Sequence, residues 1–277
     1  MDYRIVFCSE YSQNDLKELV GLFNASFPKC DFSEDYYKWQ YLDNPNGRVL
    51  SYNAMSDKGK LVSHYAAIPI KMLLNGKIEL GLLSLNTATH PAHQGNRLFT
   101  TLAKKTYSKA TELGYKFVIG VANANSTHGF LKNLNFYLVA PLEFKVGFGD
   151  IYKYSDIIDK QRVWYDDIIL KWRLKNPCFN YFISGKSILG SRKEPFFHTS
   201  VGRISSCVSS VPINETTDIF NIYIGLGLNK KGGFYINLPH FIKRSPFNLI
   251  FRDLTCGSLP IITKDNIFFQ LLDFDVS

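Results

Sequence analysis

The stretch that decides the fold runs from residue 82 to residue 136. It begins Leu82-Leu83-Ser84-Leu85-Asn86-Thr87-Ala88-Thr89, continues His90-Pro91-Ala92-His93-Gln94-Gly95-Asn96-Arg97, and leads into Leu98-Phe99-Thr100. An apolar run ending in Asn-Thr-Ala-Thr reads as a strand, and the Pro- and Gly-bearing segment after it reads as a turn. Residues 98–113 have helical apolar spacing, with Leu98, Leu102 and Ala103 on one face and Gly114 as the stop. Residues 116–121 form a second apolar strand, and Asn123-Ala124-Asn125-Ser126 opens a helix over 126–133. Strand, helix and strand within about forty residues make a βαβ unit, so the two strands are expected to be parallel. Free N–H groups at a helix start beside a glycine turn attract negative charge. A diphosphate-bearing cofactor is the expected ligand.

Upstream, residues 3–8 read as a strand. Ser12 and Asn14 cap a helix with Leu16, Leu19, Val20, Phe23 and Phe27 on its apolar face, and Pro28 stops it. Ser33 caps a shorter helix carrying Tyr36, Tyr37, Trp39 and Tyr41, which ends before Asn44-Pro45-Asn46-Gly47. Strands are expected over 49–55, 61–68, 70–74 and 77–89, the last two joined by the hairpin pair Asn75-Gly76. A last strand, 136–148, is broken by Pro141. Beyond residue 150 the pattern changes to one helix over 163–174. Short strands follow over 179–183, 196–201, 219–228, 234–238, 249–254 and 267–274. This divides the chain into 1–150 and a β-rich 151–277. One echo links the halves: Lys38-Trp39-Gln40-Tyr41-Leu42-Asp43-Asn44-Pro45 resembles Lys171-Trp172-Arg173-Leu174-Lys175-Asn176-Pro177. Two imperfect copies suit either a degenerate repeat of the first half or chance.

With 45% hydrophobic and 20% charged residues over 277 positions, the chain has the makeup of a globular protein with one large domain or two small ones. No apolar run approaches membrane-spanning length, and the start lacks a signal-peptide core, so a cytoplasmic protein without a membrane role is expected. Cys8, Cys30, Cys178, Cys207 and Cys256 are odd in number and widely spaced without a C-x-x-C pair, which argues against a disulfide framework and a structural zinc. His90 and His93 have a ligand-like spacing, but Pro91 keeps them off a helix and no third ligand is near, so no metal is expected. The net charge of +8 is spread along the chain. It forms no nucleic-acid arm and suits a small phosphate-bearing ligand or an ordinary solvated surface.

Residues 3–148 resemble the Gcn5-related N-acetyltransferase (GNAT) superfamily. The resemblance is carried by Asn86 to Phe99, by Asn123 to Ser126 and by Phe130-Leu131-Lys132-Asn133-Leu134-Asn135-Phe136. It implies an α+β fold with a mixed, mainly antiparallel sheet, one parallel crossover and flanking helices, plus a smaller β-rich second half. In that fold the strand before the turn splays from the next parallel strand, and an acyl-CoA lies in the gap. By resemblance Thr87, Ala88 and Thr89 meet the pantetheine arm. Gln94, Gly95, Asn96, Arg97, Leu98, Phe99 and Thr100 hold the pyrophosphate, and Asn123, Asn125 and Ser126 approach from the opposite strand. Asn123 and Asn125 also suit helix capping alone. The family's Gln/Arg-x-x-Gly-x-Gly/Ala turn is altered, since Arg97 and Phe99 stand where glycines are common. Asn135-Phe136 replaces Gly-Phe, and Leu131 occupies the place of a Tyr that protonates the leaving thiolate in many relatives. Asn125, Ser126, Tyr137 or water are left for that role.

The implied reaction is direct attack of an amine on the acyl-CoA thioester, with a base for the amine and a backbone donor near Ala88 for the oxyanion. His90, directly after the strand, and Glu79, at its start, are the candidate catalytic groups; each also suits a plain surface position. His64 either faces the cleft or packs in the sheet. Tyr37, Trp39, His64, Asn86 and Asp273 are candidate substrate contacts. Tyr37-Lys38-Trp39, Arg97-Leu98-Phe99-Thr100 and Leu272-Asp273-Phe274-Asp275-Val276 are similar to bacterial proteins that N-acylate nucleotide-linked amino sugars for surface polysaccharides. That similarity implies a dTDP-type aminodeoxy sugar as acceptor and acetyl-CoA or a longer acyl-CoA as donor. Another amine (an aminoglycoside, a peptide or a lysine) and a non-catalytic acyl-CoA-binding role are the alternatives. The oligomeric state is left open.

Overall fold

The computed structural model describes residues 2–28, 30, 32–148, 159–184, 187–191, 198–203, 214–215, 220–228, 234–238 and 246–274. Strand β1 (Arg4–Cys8) leads to helices α1 (Gln13–Ser26) and α2 (Glu34–Tyr41), then to β2 (Leu50–Met55), β3 (Leu61–Leu74) and β4 (Lys77–Thr89). A 3-10 turn (Pro91–His93) precedes α3 (Leu98–Glu112), β5 (Phe117–Ala122), α4 (Ala124–Asn133), β6 (Tyr137–Pro141) and β7 (Glu143–Phe148). Then come β8 (Gln161–Val163), α5 (Asp167–Arg173), β9 (Asn180–Ser184), β10 (Ser187–Ser191), β11 (His198–Arg203) and β12 (Asn214–Glu215). The chain closes with β13 (Phe220–Leu226), β14 (Phe234–Asn237), β15 (Asn248–Asp253) and β16 (Ile267–Gln270).

These elements follow local chemistry. Ser12 caps α1 reciprocally with Asp15, whose backbone N–H bonds the serine hydroxyl at 3.2 Å. Ser33 and Asp166 cap α2 and α5 by accepting from the N–H groups of Tyr36 and Ile169. One expected break is absent: β3 runs straight through Pro69. Its partner β2 ends opposite Ala67 and β8 joins only at Met72, so on that side no strand requires the missing proline N–H. Val163, expected to start a helix, instead ends the strand β8, and the helix begins only after the Asp166 cap. After β16, residues 271–273 leave the expected strand for a 3-10 turn.

Strands β2, β3 and β4 are antiparallel, and β5 adds parallel to β4. Helices α1 and α2 pack over one face with Leu83, Ile119 and Phe251, while α3 and α4 cover the other with Leu82, Val118 and Ile250. The later strands repeat the pattern: β9, β10 and β11 are antiparallel, and β13 adds parallel to β11. Each half then takes its next strand from the other. β15 lies antiparallel between β5 and β6, and β7 lies antiparallel beside β13. The break at Pro141 and Leu142 is where the chain leaves one strand group for the other.

The two echo helices meet face to face. Trp39 and Trp172 stack with ring centroids 5.0 Å apart and planes 18° apart. The indole N–H of Trp39 donates to the Trp172 carbonyl at 2.8 Å, and that of Trp172 donates to the Trp39 carbonyl at 2.9 Å. Asn44 and Asn176 each accept from the backbone N–H two residues on, at 2.9 Å, so both Asn-Pro ends make the same turn. The sequence echo is therefore a local two-fold in the structure.

Candidate functional site

Strands β4 and β5 pair only through Leu82 with Val118, Leu83 with Ile119 and Ser84 with Gly120. Past Ser84 they part. The cause lies on the other edge of β4, where Thr87 faces Tyr65 and Leu85 faces Ala66, leaving Asn86 as an extra residue. Asn86 sits at φ 44°, in the left-handed region that asparagine tolerates better than most residues. Its side-chain N–H donates to the Tyr41 hydroxyl at 3.0 Å and to Gln40. Behind it, the Tyr41 hydroxyl bonds His64 Nε2 at 2.9 Å, and His64 Nδ1 bonds Asn53 Oδ1 at 2.6 Å. A buried polar chain thus pins the bulge that opens the sheet.

The gap widens into a cavity of about 840 Å³. At one end lies the turn before α3. Gly95 at φ 80° and Arg97 at φ 56° give the turn its shape, and Asn96 braces it by donating to the carbonyls of His93 (3.0 Å) and Gln94 (3.2 Å). Arg97 offers no side-chain cap to α3, and the first helical bond is Thr101 N–H to the Arg97 carbonyl at 3.1 Å. The N–H groups of Leu98, Phe99 and Thr100 precede that bond and are open to an anion. On the far side, Asn123 Oδ1 caps α4 by accepting from the N–H groups of Asn125 and Ser126, both at 3.0 Å. That leaves Asn125 as the exposed amide on the cavity wall. The departures from the common pattern fit this geometry. Asn135 takes φ 55° where glycine is usual, and Phe99 packs edge-on against Phe130 at 5.2 Å.

The cavity brings together Asn86, Thr87, Thr89, Gln94 to Thr100, Asn123, Asn125 and Ser126. The Ala88 side chain is buried in the core, its carbonyl accepting from the Ser63 hydroxyl at 3.1 Å, while Thr87 and Thr89 line the wall. His90 stands outside the lining. Its Nδ1 accepts from the Ala92 N–H at 3.2 Å, so its ring lone pair is spent on the turn. Glu79 is half-buried near the start of β4, roughly 25 Å along the strand from Thr87. Burial holds His64 neutral, with its pKa pushed down to about 3.

The candidate acceptor contacts are turned inward. Tyr37 is buried against Phe23 and Phe32 (ring centroids 5.3 and 6.3 Å), and its phenol pKa is raised by burial. Trp39 gives its face to Trp172 and to the Arg173 guanidinium, 5.5 Å away. Asp273 is buried, accepting from the Tyr165 hydroxyl at 2.9 Å and the Gln270 N–H at 2.8 Å, and burial pushes its pKa up to about 7. Asp275 lies outside the described residues. Of the candidate thiolate donors, Tyr137 is engaged elsewhere, its oxygen accepting from the Ile262 N–H at 2.9 Å.

Sequence reasoning missed several wall residues. His93 lines the cavity with Nδ1 3.1 Å from the Tyr3 hydroxyl. Phe23, Phe27, Cys30 and Phe32 come from the α1–α2 segment, and Phe247 and Phe274 come from the second half. The pairing of β15 beside β5 carries Phe247 there, and Phe274, which follows β16, packs 6.2 Å from it between ring centroids; no local pattern signals either. Among the described lining residues there is no carboxylate, and Arg97 is the one permanently charged group. Ser26 Oγ is buried at the wall without a hydrogen-bond partner.

A splayed strand pair, a bulge and an open helix start together define a GNAT-like cleft. Residues 8–138 match the family model described as an acetyltransferase (GNAT) domain. That match supports an acyl-CoA-dependent N-acyltransferase. The fold extends this likeness over most of the chain. A probable N-acyltransferase from Enterococcus faecalis V583 superposes with TM-score 0.62 at 10% identity, covering 92% of this chain and 73% of that one. A GCN5-related N-acetyltransferase from Anabaena variabilis gives TM-score 0.59 at 10% identity, covering 91% and 74%. One from Kribbella flavida gives 0.58 at 10% identity, covering 92% and 73%. A search of curated proteins returned no match. No described helix is long and apolar enough to cross a membrane.

Proposed function

We propose that this protein transfers an acyl group from acyl-CoA to the amine of a nucleotide-linked amino sugar of the dTDP type, in the cytoplasmic stage of surface-polysaccharide synthesis. One observation carries the acceptor class: the described cavity wall bears no carboxylate. A polycationic aminoglycoside or a lysine side chain finds no counter-charge there, whereas an acceptor with its own diphosphate meets no repulsion.

The Leu98–Thr100 N–H groups and Arg97 take the pyrophosphate of CoA, and Asn125 and the unpaired edge of β4 take the pantetheine arm. The amine nitrogen attacks the thioester carbon, its C–N bond forms and the C–S bond breaks. The nitrogen's surplus proton passes to water, and the thiolate is protonated by water or Ser126. Neither His90 nor Glu79 reaches the cavity wall, so the acceptor reacts in its neutral fraction.

The test is thiol release with purified protein and acyl-CoA. The panel holds dTDP- and UDP-linked amino sugars, a cationic aminoglycoside and a lysine peptide. Turnover confined to nucleotide sugars supports the reading, and turnover on the cations alone overturns the acceptor class. CoA binding without turnover on any amine favours the non-catalytic alternative.

A further inference from the structure

The cavity does not stop at the gap. Its wall includes Leu98, Phe130 and Ile250 from the core under α3 and α4, and Phe23, Phe32 and Phe274 from the core under α1 and α2. These cores lie on opposite faces of the sheet, so the cavity passes through the sheet where β4 and β5 part. The turn that suits a pyrophosphate is on one side. On the other is a chamber of phenylalanines. Phe23 lies 6.0 Å from Phe27 and 5.1 Å from Phe32, and Phe247 lies 6.2 Å from Phe274, all between ring centroids. Phe27 stands 40% exposed at its mouth. The one permanent charge of the described wall, Arg97, is on the turn side.

We infer that this chamber is an acyl subsite and that the protein selects an apolar acyl chain longer than acetyl. The inference rests on the acyl-CoA reading of the cleft. A donor threaded from the turn along β4 places its thioester at the gap, and the acyl chain is the part that emerges beyond it. An acetyl group would end at the gap and leave the aromatic rings facing empty space, forfeiting their dispersion contacts. A longer chain fills that space and is withdrawn from water. Because Phe247 and Phe274 close the chamber, the second half sets the acyl specificity.

Inert thioethers of CoA separate binding from turnover. S-methyl-, S-ethyl-, S-butyl- and S-hexyl-CoA are titrated calorimetrically into the full chain. Affinity is expected to rise roughly fourfold per added methylene until the chamber is full. Ser26→Leu adds bulk at a hydroxyl that holds no bond, and it should lower the S-hexyl to S-methyl affinity ratio about tenfold. Phe274→Ala should move the end of the rise to a longer chain. Equal affinity across the wild-type series overturns the acyl subsite while leaving the cleft assignment standing. No binding of S-methyl-CoA overturns the acyl-CoA reading itself.

Discussion

Arg97→Gly should push stability and affinity in opposite directions. Arg97 holds φ 56° with an exposed side chain and no capping bond. A non-glycine residue in that region costs about 1–2 kcal/mol, and glycine's larger unfolded-state entropy returns roughly 0.5–1 kcal/mol of it. The variant should therefore be as stable as the wild type or up to about 1.5 kcal/mol more stable, read from urea denaturation. The guanidinium is the one permanent charge on the described cavity wall. A charge-assisted phosphate bond at an exposed site contributes about 1–2 kcal/mol, so CoA should bind roughly tenfold more weakly. Pantetheine, which lacks the phosphates, should bind both proteins alike. The gap for CoA should shrink as salt rises, because the lost interaction is exposed. Two results refute the reasoning: equal losses for CoA and pantetheine, or a variant clearly less stable than the wild type.

Asn125→Ala should weaken CoA binding several-fold in the same calorimetric assay without loss of stability, because Asn123 and not Asn125 caps α4. Unchanged affinity would remove Asn125 from the donor site. Asp273 gives a pH signature. Its folded pKa is raised to about 7 by burial, above the unfolded value near 3.8, so folding favours the protonated form. Its contribution is complete below pH 4 and is lost as pH rises through 7. Denaturation of the wild type should show a decline of up to ~4 kcal/mol over that window which Asp273→Asn lacks; parallel curves would contradict it. For the paired indoles, Trp39→Phe and Trp172→Phe should each cost about 1 kcal/mol or more in urea denaturation, since each removes an indole N–H and strands the other residue's carbonyl. A loss near zero for either would mean the two helices are held by their neighbours instead.

Much of the first half was legible because its signals are local. Caps at Ser12 and Ser33, the Asn75-Gly76 hairpin and the strand-turn-helix at 82–100 act within a few residues of themselves. The turn before α3 followed too, since its shape is set within a few residues of backbone. The acceptor end was not legible. Tyr37 and Trp39 have the composition of a stacking platform, yet one packs on Phe23 and Phe32 and the other is covered by Trp172, a residue 133 positions away. Asp273 carries the same lesson, because its buried partners Tyr165 and Arg173 are remote in sequence. His90 looked available as a base because sequence does not show that the turn itself takes up the ring nitrogen. The unbroken passage of β3 through Pro69 depended on where β2 and β8 happen to end.

The insertion of β15 between β5 and β6 bears on biosynthesis. When β5 has left the ribosome, the edge that β15 will occupy is a row of open amide groups, and about 130 residues must be translated before Asp253 arrives to cover it. Pairing across such a separation is entropically slow, and an open edge invites pairing with other chains. A nascent or truncated chain ending near residue 150 therefore presents a sticky, incomplete sheet. The cavity where β4 and β5 part comes into being last, when the far end of the polypeptide is finally available.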